Sequence, residues 1–498
     1  MKFLLKSSAV AKLDVDVLTV FSSDKQNIDL PFLPKELISL LEKSKNKEKF
    51  EAKDGEFLVV APHGYLAAYK LLIAGVGTEE IFSYYQIQKC IASTIRKINE
   101  FKPAKIALVI PPIWLERLSA PLVTASIIES VELASYRFMK YKSEGEQNRN
   151  RNLEEVILQV MPNKLARCEE GLNIARYSAK AVLFARDLVN EPAAVTTPSY
   201  LANLAKSIGN DAKGITKVTV LEKEELIKLG MGAFLGVSAG SAEEPKFIRL
   251  HYKPQKSRKK VVIIGKGITF DTGGLSLKSA ENMETMKLDM SGAAVILAVF
   301  SVLKEANIDL EVTGIIAACE NMPSGKAVKP GDILTAMNKK TIEVLNTDAE
   351  GRLTLADAIS YAVIKEKPDE IIDLATLTGA CMVALGQDIA GLWVNDELLA
   401  SQLQKSAELT GENIWRMPLV KEYKELIKSG VSDIKNIQTG KYGGAITAAL
   451  FLQEFVGKTK WAHFDIAGPA FAETDTPLTP RGGTGFGVRL LLNFLSSK

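Results

Sequence analysis

The sequence predicts an α/β protein of two domains: a smaller N-terminal α/β domain, and a larger C-terminal α/β domain whose mostly parallel central sheet is flanked by helices. Three observations carry this. The chain has 498 residues, more than one ordinary core serves. Short apolar, β-branched runs alternate with stretches of helical spacing along both halves, the pattern of a sheet covered by helices. Between the halves, one long helical pattern runs from Leu165 to Leu188 and stops near Asn190-Glu191-Pro192, which reads as a linker. The expected division is 1–164, a linker helix 165–189, and 190–498.

In the first third, Val15–Phe21, Phe57–Ala61, Leu71–Ala74, Ile106–Ile110 and Val156–Val160 read as strands. Lys35–Lys43, Ile81–Lys97 and Val123–Met139 carry helical spacing, and Lys142–Asn152, with no apolar residue, reads as a solvent loop. Gly75-Val76-Gly77 after a strand reads as a plain turn rather than a nucleotide loop. In the second half, Val261–Ile264 is a buried strand, Met283–Leu303 contains a helix, and Val312–Ala317 is a strand. A hairpin is expected over Ile333–Ala336 and Thr341–Val344, and a helix over Leu355–Lys365. Ile371–Leu374 and Phe464–Ile466 are short strands, and Gly487–Leu495 closes the chain as a helix.

Composition narrows the class. Hydrophobic residues at 47% and charged residues at 24% describe a soluble globular chain. Lysine and arginine total 62 against 59 acids, a net charge of +3, which gives no reason to invoke nucleic acid or an anionic membrane. Cys90, Cys168, Cys319 and Cys381 are widely spaced without a CxxC pair, so free buried thiols are expected. The N-terminal apolar run is only Phe3-Leu4-Leu5, too short for a signal peptide, and no stretch reads as long enough to span a bilayer. The expected location is cytoplasmic.

The chemistry concentrates in Asn346-Thr347-Asp348-Ala349-Glu350-Gly351-Arg352-Leu353. Two carboxylates and a guanidinium within five residues suit metal binding better than a surface loop. Upstream lie Lys266, Asp271, Lys278 and Asp289. Lys266 and Asp271 are expected in the loop leaving strand Val261–Ile264, where open α/β sheets bind ligands; Gly273-Gly274 allows positive φ or close backbone approach. Asp289 is expected at the start of the helix that follows. Taken singly, each aspartate reads as a cap or turn residue, and Gly265-Lys266-Gly267 lacks phosphate-loop spacing. The spacing of the whole set points to one site. Four carboxylates in one place stay ionised only beside cations, and two divalent metals would supply them. With only His63, His251 and His463 in the chain, oxygen donors rather than histidines must carry such a site. His251 and His463 read as ordinary strand residues.

Asn346–Leu353 strongly resembles the signature octapeptide of the leucyl aminopeptidase (cytosol aminopeptidase) family. Residues 261–294 resemble that family's other metal-binding segment, and 320–332, 373–380 and 461–470 look like further family blocks. The likeness covers the chain from about 190 onward. The resemblance implies that Asp271 and Glu350 bridge two divalent ions, Zn2+ or Mn2+. Lys266 and Asp289 would complete one ion; Asp348 would complete the other by side chain and carbonyl. Lys278 and Arg352 would be the catalytic pair, with a bicarbonate ion on Arg352. Met286, Thr376, Gly379, Ala467 and Ala470 would line the substrate side-chain pocket. Similar enzymes are hexamers. One departure stands at Ala194, where the family element around 190–198 often carries a second asparagine.

The implied function is a metal-dependent aminopeptidase that removes N-terminal residues, preferably leucine or another apolar one, from short peptides through a metal-bridged hydroxide. A water held by two dications has a lowered pKa, and a lysine beside them can be pushed to the neutral amine that ligation needs. Lys278 would stabilise the oxyanion, and an arginine suits planar bicarbonate by paired hydrogen bonds. The alternative is a DNA-binding regulatory protein on the same scaffold, which the balanced charge disfavours. A metal-dependent phosphatase would need more cationic groups than the apolar pocket blocks offer.

Overall fold

The computed structural model describes residues 1–23, 33–77, 83–147, 153–212, 214–257 and 259–498. The expected helix start at 81–82 and the part of the expected loop at 148–152 lie outside the described residues. The chain divides into two compact units: Met1–Ala179 with Glu408–Gly411 and Asp475–Pro480, and Lys180–Ala407 with Glu412–Thr474 and Arg481–Lys498. The boundary at Ala179 and Lys180 falls inside one helix, Leu165–Asn190.

The first unit is built on a six-stranded sheet in the order Lys2–Lys6, Glu155–Gln159, Lys105–Val109, Val17–Ser22, Lys70–Gly75 and Phe57–Val60. All neighbours are parallel except the last pair. Successive side chains leave a strand on opposite faces. Accordingly Ile106 and Leu108 enter one core, with Ile91, Ile95 and Val123 from the helices Tyr84–Asn99 and Ala120–Ser135. Ala107 enters the other core, with Leu37 and Leu41 from the helix Lys35–Glu48. Ser83 caps Tyr84–Asn99 in a reciprocal box with Gln86, which satisfies donors at the helix start. The strand Lys2–Lys6 went unread in the sequence because its short apolar run is flanked by lysines.

The second unit has an eight-stranded sheet in the order Ile414–Arg416, Ala390–Val394, Lys460–Asp465, Glu370–Ala375, Lys260–Asp271, Glu311–Asn321, Lys246–Tyr252 and Thr216–Leu221. The four central strands are parallel. One core joins Val262, Ile264 and Ile371 to the helices Gly351–Tyr361 and Gly444–Val456. The hairpin forms as Ile333–Thr335 and Thr341–Glu343, and Ile434–Lys435 pairs parallel to its second strand.

Two expectations are corrected here. The strand read as Val261–Ile264 continues to Asp271, so Lys266 lies within it and Asp271 ends it; neither belongs to a loop. The stretch Met283–Leu303 contains a helix, as read, at Ser291–Val302, but a short helix Ala280–Met283 and a 3-10 turn Met286–Met290 precede it. Asp289 therefore sits in the 3-10 turn. The first difference has its cause in the packing. A Cβ on Gly292 would lie 2.3 Å from the Leu374 carbonyl and 2.6 Å from the Lys266 nitrogen. The start of the last helix thus rests directly on the strand backbone, and glycines are needed inside regular structure where they look like breakers.

The helical run Ala280–Val302 is long and apolar enough to cross a membrane by length and composition, contrary to the sequence reading. Within the fold 72% of its apolar window is buried, as in a core helix.

Candidate metal centre

The carboxyl ends of the central strands carry the site. Asp271 ends its strand, and the chain turns at once through Gly273 and Gly274 at φ +85° and +64°. A Cβ on Gly273 would meet the Ser276 carbonyl at 2.5 Å and Asp348 Oδ1 at 2.8 Å, so glycine is required there on two counts. The turn brings Lys278 back beside Asp271.

The octapeptide folds against this loop. The Thr347 hydroxyl donates to the Gly273 carbonyl at 2.6 Å and accepts from the Ser276 amide at 2.8 Å. Glu350 is the N-cap of the helix Gly351–Tyr361. Asp271, Asp348 and Glu350 each offer a carboxylate oxygen, and these oxygens lie within 4.8 Å of one another.

The seven charged residues singled out in the sequence fall into one neighbourhood. Lys266 Nζ lies 2.7 Å from Asp289 Oδ1 and 2.8 Å from Glu350 Oε1, and donates to the Thr376 carbonyl at 3.0 Å. Lys278 Nζ lies 2.7 Å from Asp271 Oδ2 and also contacts Asp348 Oδ1. Arg352, buried, donates from Nη1 to the Asn436 carbonyl at 2.7 Å.

Electrostatics mark the site as short of cations. Burial, then the repulsion of neighbouring acids, holds Asp289 and Glu350 above the usual carboxylate range, against the pull of Lys266. Asp348 is raised too, by burial, despite Lys278. Burial opposes the charge on Lys266, but Asp289, Glu350 and Asp271 outweigh it and hold the ammonium above the ordinary lysine value. Lys278 behaves likewise beside Asp271 and Glu350. Burial brings Arg352 down to about 10.

These residues fit divalent cations. Asp289 Oδ1 accepts from the Thr376 hydroxyl at 2.7 Å, while Asp289 Oδ2 and Glu350 Oε2 are buried with no hydrogen-bond partner among the described residues. A buried carboxylate oxygen without a partner is costly, and hard oxygen donors of this kind are what a divalent cation takes.

The expected pocket residues are brought together in part. Thr376 touches Asp289 and Lys266. Ala467 and the segment after Thr376 meet on buried Asp465: its Oδ1 accepts from the amides of Leu377 at 3.1 Å and Ala467 at 3.2 Å, and its Oδ2 from the Thr378 hydroxyl at 2.6 Å. Gly379 begins the helix capped by Thr378. Met286 shares the 3-10 turn of Asp289, and the Ala470 amide donates to the Ile466 carbonyl at 3.0 Å. His463 is a buried strand residue, as expected, with Nδ1 2.5 Å from Asp373 Oδ1.

Three polar residues at the site were missed in the sequence: Asn321, Asn436 and Asp465. Asn321 Nδ2 donates to Asp271 Oδ1 at 2.8 Å and to the Thr347 carbonyl at 3.0 Å, tying strand to octapeptide. Asn321 and Asp465 fall within the family-like blocks 320–332 and 461–470, the one signal that could have found them.

A carboxylate and lysine cluster with unsatisfied buried oxygens, at the strand ends of an α/β sheet, defines a metal-dependent hydrolase. The chain belongs to the cytosol aminopeptidase family: the profile of the family's catalytic domain matches residues 183–492, and that of its N-terminal domain matches 17–145. It is a metal-dependent aminopeptidase, a metallo-exopeptidase. Among its relatives, the probable cytosol aminopeptidase of Alkaliphilus metalliredigens is 40% identical, over 100% of this chain and 99% of that protein. The probable cytosol aminopeptidase of Gloeothece citriformis is 45% identical over 91% and 90%. A mutant of tomato leucine aminopeptidase superposes with a TM-score of 0.90 at 34% identity, covering 100% of this chain and 97% of that one. The bottromycin maturation enzyme BotP, in complex with Mn, superposes at 0.83 with 31% identity, covering 97% and 99%. These likenesses lend no support to the DNA-binding alternative.

Proposed function

We propose that this aminopeptidase removes leucine and other apolar N-terminal residues from short peptides, using two divalent ions held by Lys266, Asp271, Asp289, Asp348 and Glu350. Asp271 and Glu350 are assigned to both ions, Lys266 and Asp289 to one, and Asp348 to the other. The observation that carries this reading is the pair of buried oxygens on Asp289 and Glu350 that have no hydrogen-bond partner among the described residues. The manganese complex of BotP supports Mn2+ as one candidate beside Zn2+. Bound there, the ions would supply Lewis acidity and an activated water near neutral pH.

The chain's own groups do the rest. Lys266 would hold an ion only as the neutral amine, a form that two nearby dications would favour. Lys278 stays protonated and donates to the scissile carbonyl oxygen as negative charge develops on it. Arg352 has one Nη bound to Asn436 and Nε without a partner among the described residues, which leaves donors for a planar anion; bicarbonate there would supply a base for the proton of the attacking water. Thr376, Gly379, Ala467, Ala470 and Met286 are assigned to the side-chain pocket. The domain division at 164 and 190 belongs to the same reading, supported by the unit boundary inside helix Leu165–Asn190.

We further propose a cytoplasmic homo-hexamer. The names of the curated relatives support the location; the hexamer rests on the family resemblance. Sedimentation should give a mass near six times 54.3 kDa, and an active monomer would overturn the assembly alone. The catalytic reading is tested by turnover of a panel of aminoacyl anilides. Leucyl and methionyl substrates should exceed acidic and N-acetylated ones, and equal rates on N-acetylated substrates would contradict it.

A further inference from the structure

We infer that Asn436 is a positioning residue of the metal centre, which fixes the octapeptide turn and Arg352 from a segment remote in sequence. Its main chain is anchored first. It follows the short strand Ile434–Lys435, and its amide donates to the Glu343 carbonyl at 2.9 Å. Its side chain is fully buried and spends both ends of the amide on the turn. Oδ1 accepts from the Leu345 amide at 2.9 Å and the Asn346 amide at 3.4 Å. Nδ2 donates to the Asn346 carbonyl at 2.7 Å and the Ala349 carbonyl at 3.4 Å. Its own carbonyl accepts from Arg352 Nη1 at 2.7 Å.

The need for such a clamp follows from charge. Asp348 and Glu350 lie two residues apart in this turn, beside Asp271, and their repulsion works to open it. The Thr347 side of the turn is held by Gly273, Ser276 and Asn321. The Leu345, Asn346 and Ala349 side is held by Asn436. A carboxamide presents an acceptor oxygen and a two-hydrogen donor side by side at one tip, matching this pair of amides and pair of carbonyls. An aspartate of equal shape would face two carbonyls with a carboxylate, and an alanine would leave four backbone groups to find other partners. Groups that orient metal ligands typically change metal affinity 10–100-fold when removed.

The inference rests on the two-metal reading, so the test separates them. Metal-stripped wild type, Asn436→Ala and Asn395→Ala are titrated with Mn2+ against a chelating indicator, and the melting temperature of each metal-free protein is recorded. Asn395 also bridges two segments, with Nδ2 on the Thr459 carbonyl and Oδ1 on the Trp461 amide, but is remote from the turn in the sheet. Asn436→Ala should weaken Mn2+ binding about 10–100-fold, while the main-chain carbonyl that holds Arg352 is kept. Asn395→Ala should leave Mn2+ affinity unchanged. Unaltered affinity in Asn436→Ala, or equal losses in both variants, would overturn the inference. Asn436→Ser is read the same way if the alanine variant does not fold. A wild type that binds no divalent cation would overturn the two-metal reading itself.

Discussion

Gly351→Ala sets two opposed effects against each other, and the structure decides between them. Gly351 opens the helix Gly351–Tyr361, where alanine should gain up to about 1 kcal/mol in helix propensity. The added Cβ, however, would lie 2.4 Å from Lys266 Cε and 2.7 Å from its Nζ. Ordinary carbon contacts are about 3.5–4.0 Å, so the lysine tip must retreat by roughly 1 Å. Its backbone cannot follow, because Gly292 rests against it. The Nζ contacts now at 2.7, 2.8 and 3.0 Å would then leave hydrogen-bond range in at least one direction. Losing one charge-assisted bond costs about 1.5–3 kcal/mol, and overpacking a further 1–3 kcal/mol or so. Destabilisation wins by at least about 1 kcal/mol. Calorimetry should show a lower melting temperature, and metal analysis should show a deficit because Lys266 is displaced from the site. A variant that melts higher than wild type with full metal content and turnover would refute the close packing of Gly351 on Lys266.

Asp271→Ala and Glu350→Ala should each bind fewer than two metals per chain and lose measurable peptidase activity; full metal content with normal turnover in either would remove the bridging role. Lys278→Ala should lower kcat by roughly 100-fold or more, the scale of one lost oxyanion donor, whereas an effect on KM alone would exclude that role. Met286→Ala should shift the preference among leucyl, methionyl and alanyl substrates with metal content unchanged, and an unshifted preference would take Met286 out of the pocket. Away from the site, burial would raise the Glu366 carboxyl, but hydrogen bonds and charge from Arg249 and Lys260 outweigh it and pull it down to about 2. A depressed folded value stabilises the protein above the unfolded carboxyl value near 4.5 and loses that contribution as pH falls toward 2. Glu366→Gln should therefore flatten the acid limb of stability between those values, as followed by circular dichroism, and an identical acid limb would contradict the pairing.

What could be read from the chain alone follows the range of the interactions. Asp348, Glu350 and Arg352 were legible because one turn and one helix start place them, all within a few residues. The first unit's strands were legible where apolar runs alternate between two cores, as at Ile106 and Ala107. Lys266 was misplaced into a loop because glycines on both sides interrupt the apolar run. Gly265 is required by the contact with Gly292 and Gly267 by the close approach of Ile316 and Ala317, which only the fold reveals. Thr216–Leu221 and Lys246–Tyr252 escaped because lysine, threonine and arginine break their apolar pattern. Asn436, and Asp465 apart from its family-like block, escaped for a different reason. A lone amide or carboxylate carries no periodicity, and its partners, such as Leu345 and Leu377, lie far away in sequence.

The central claim is that this carboxylate and lysine cluster works only with divalent cations. The direct measurement strips metal from the purified protein with a chelator, follows hydrolysis of a leucyl anilide, and restores Mn2+ or Zn2+ while counting bound ions. No turnover is expected without metal, with recovery on addition and two ions per chain at full activity. Undiminished turnover by protein shown to be free of metal would contradict it.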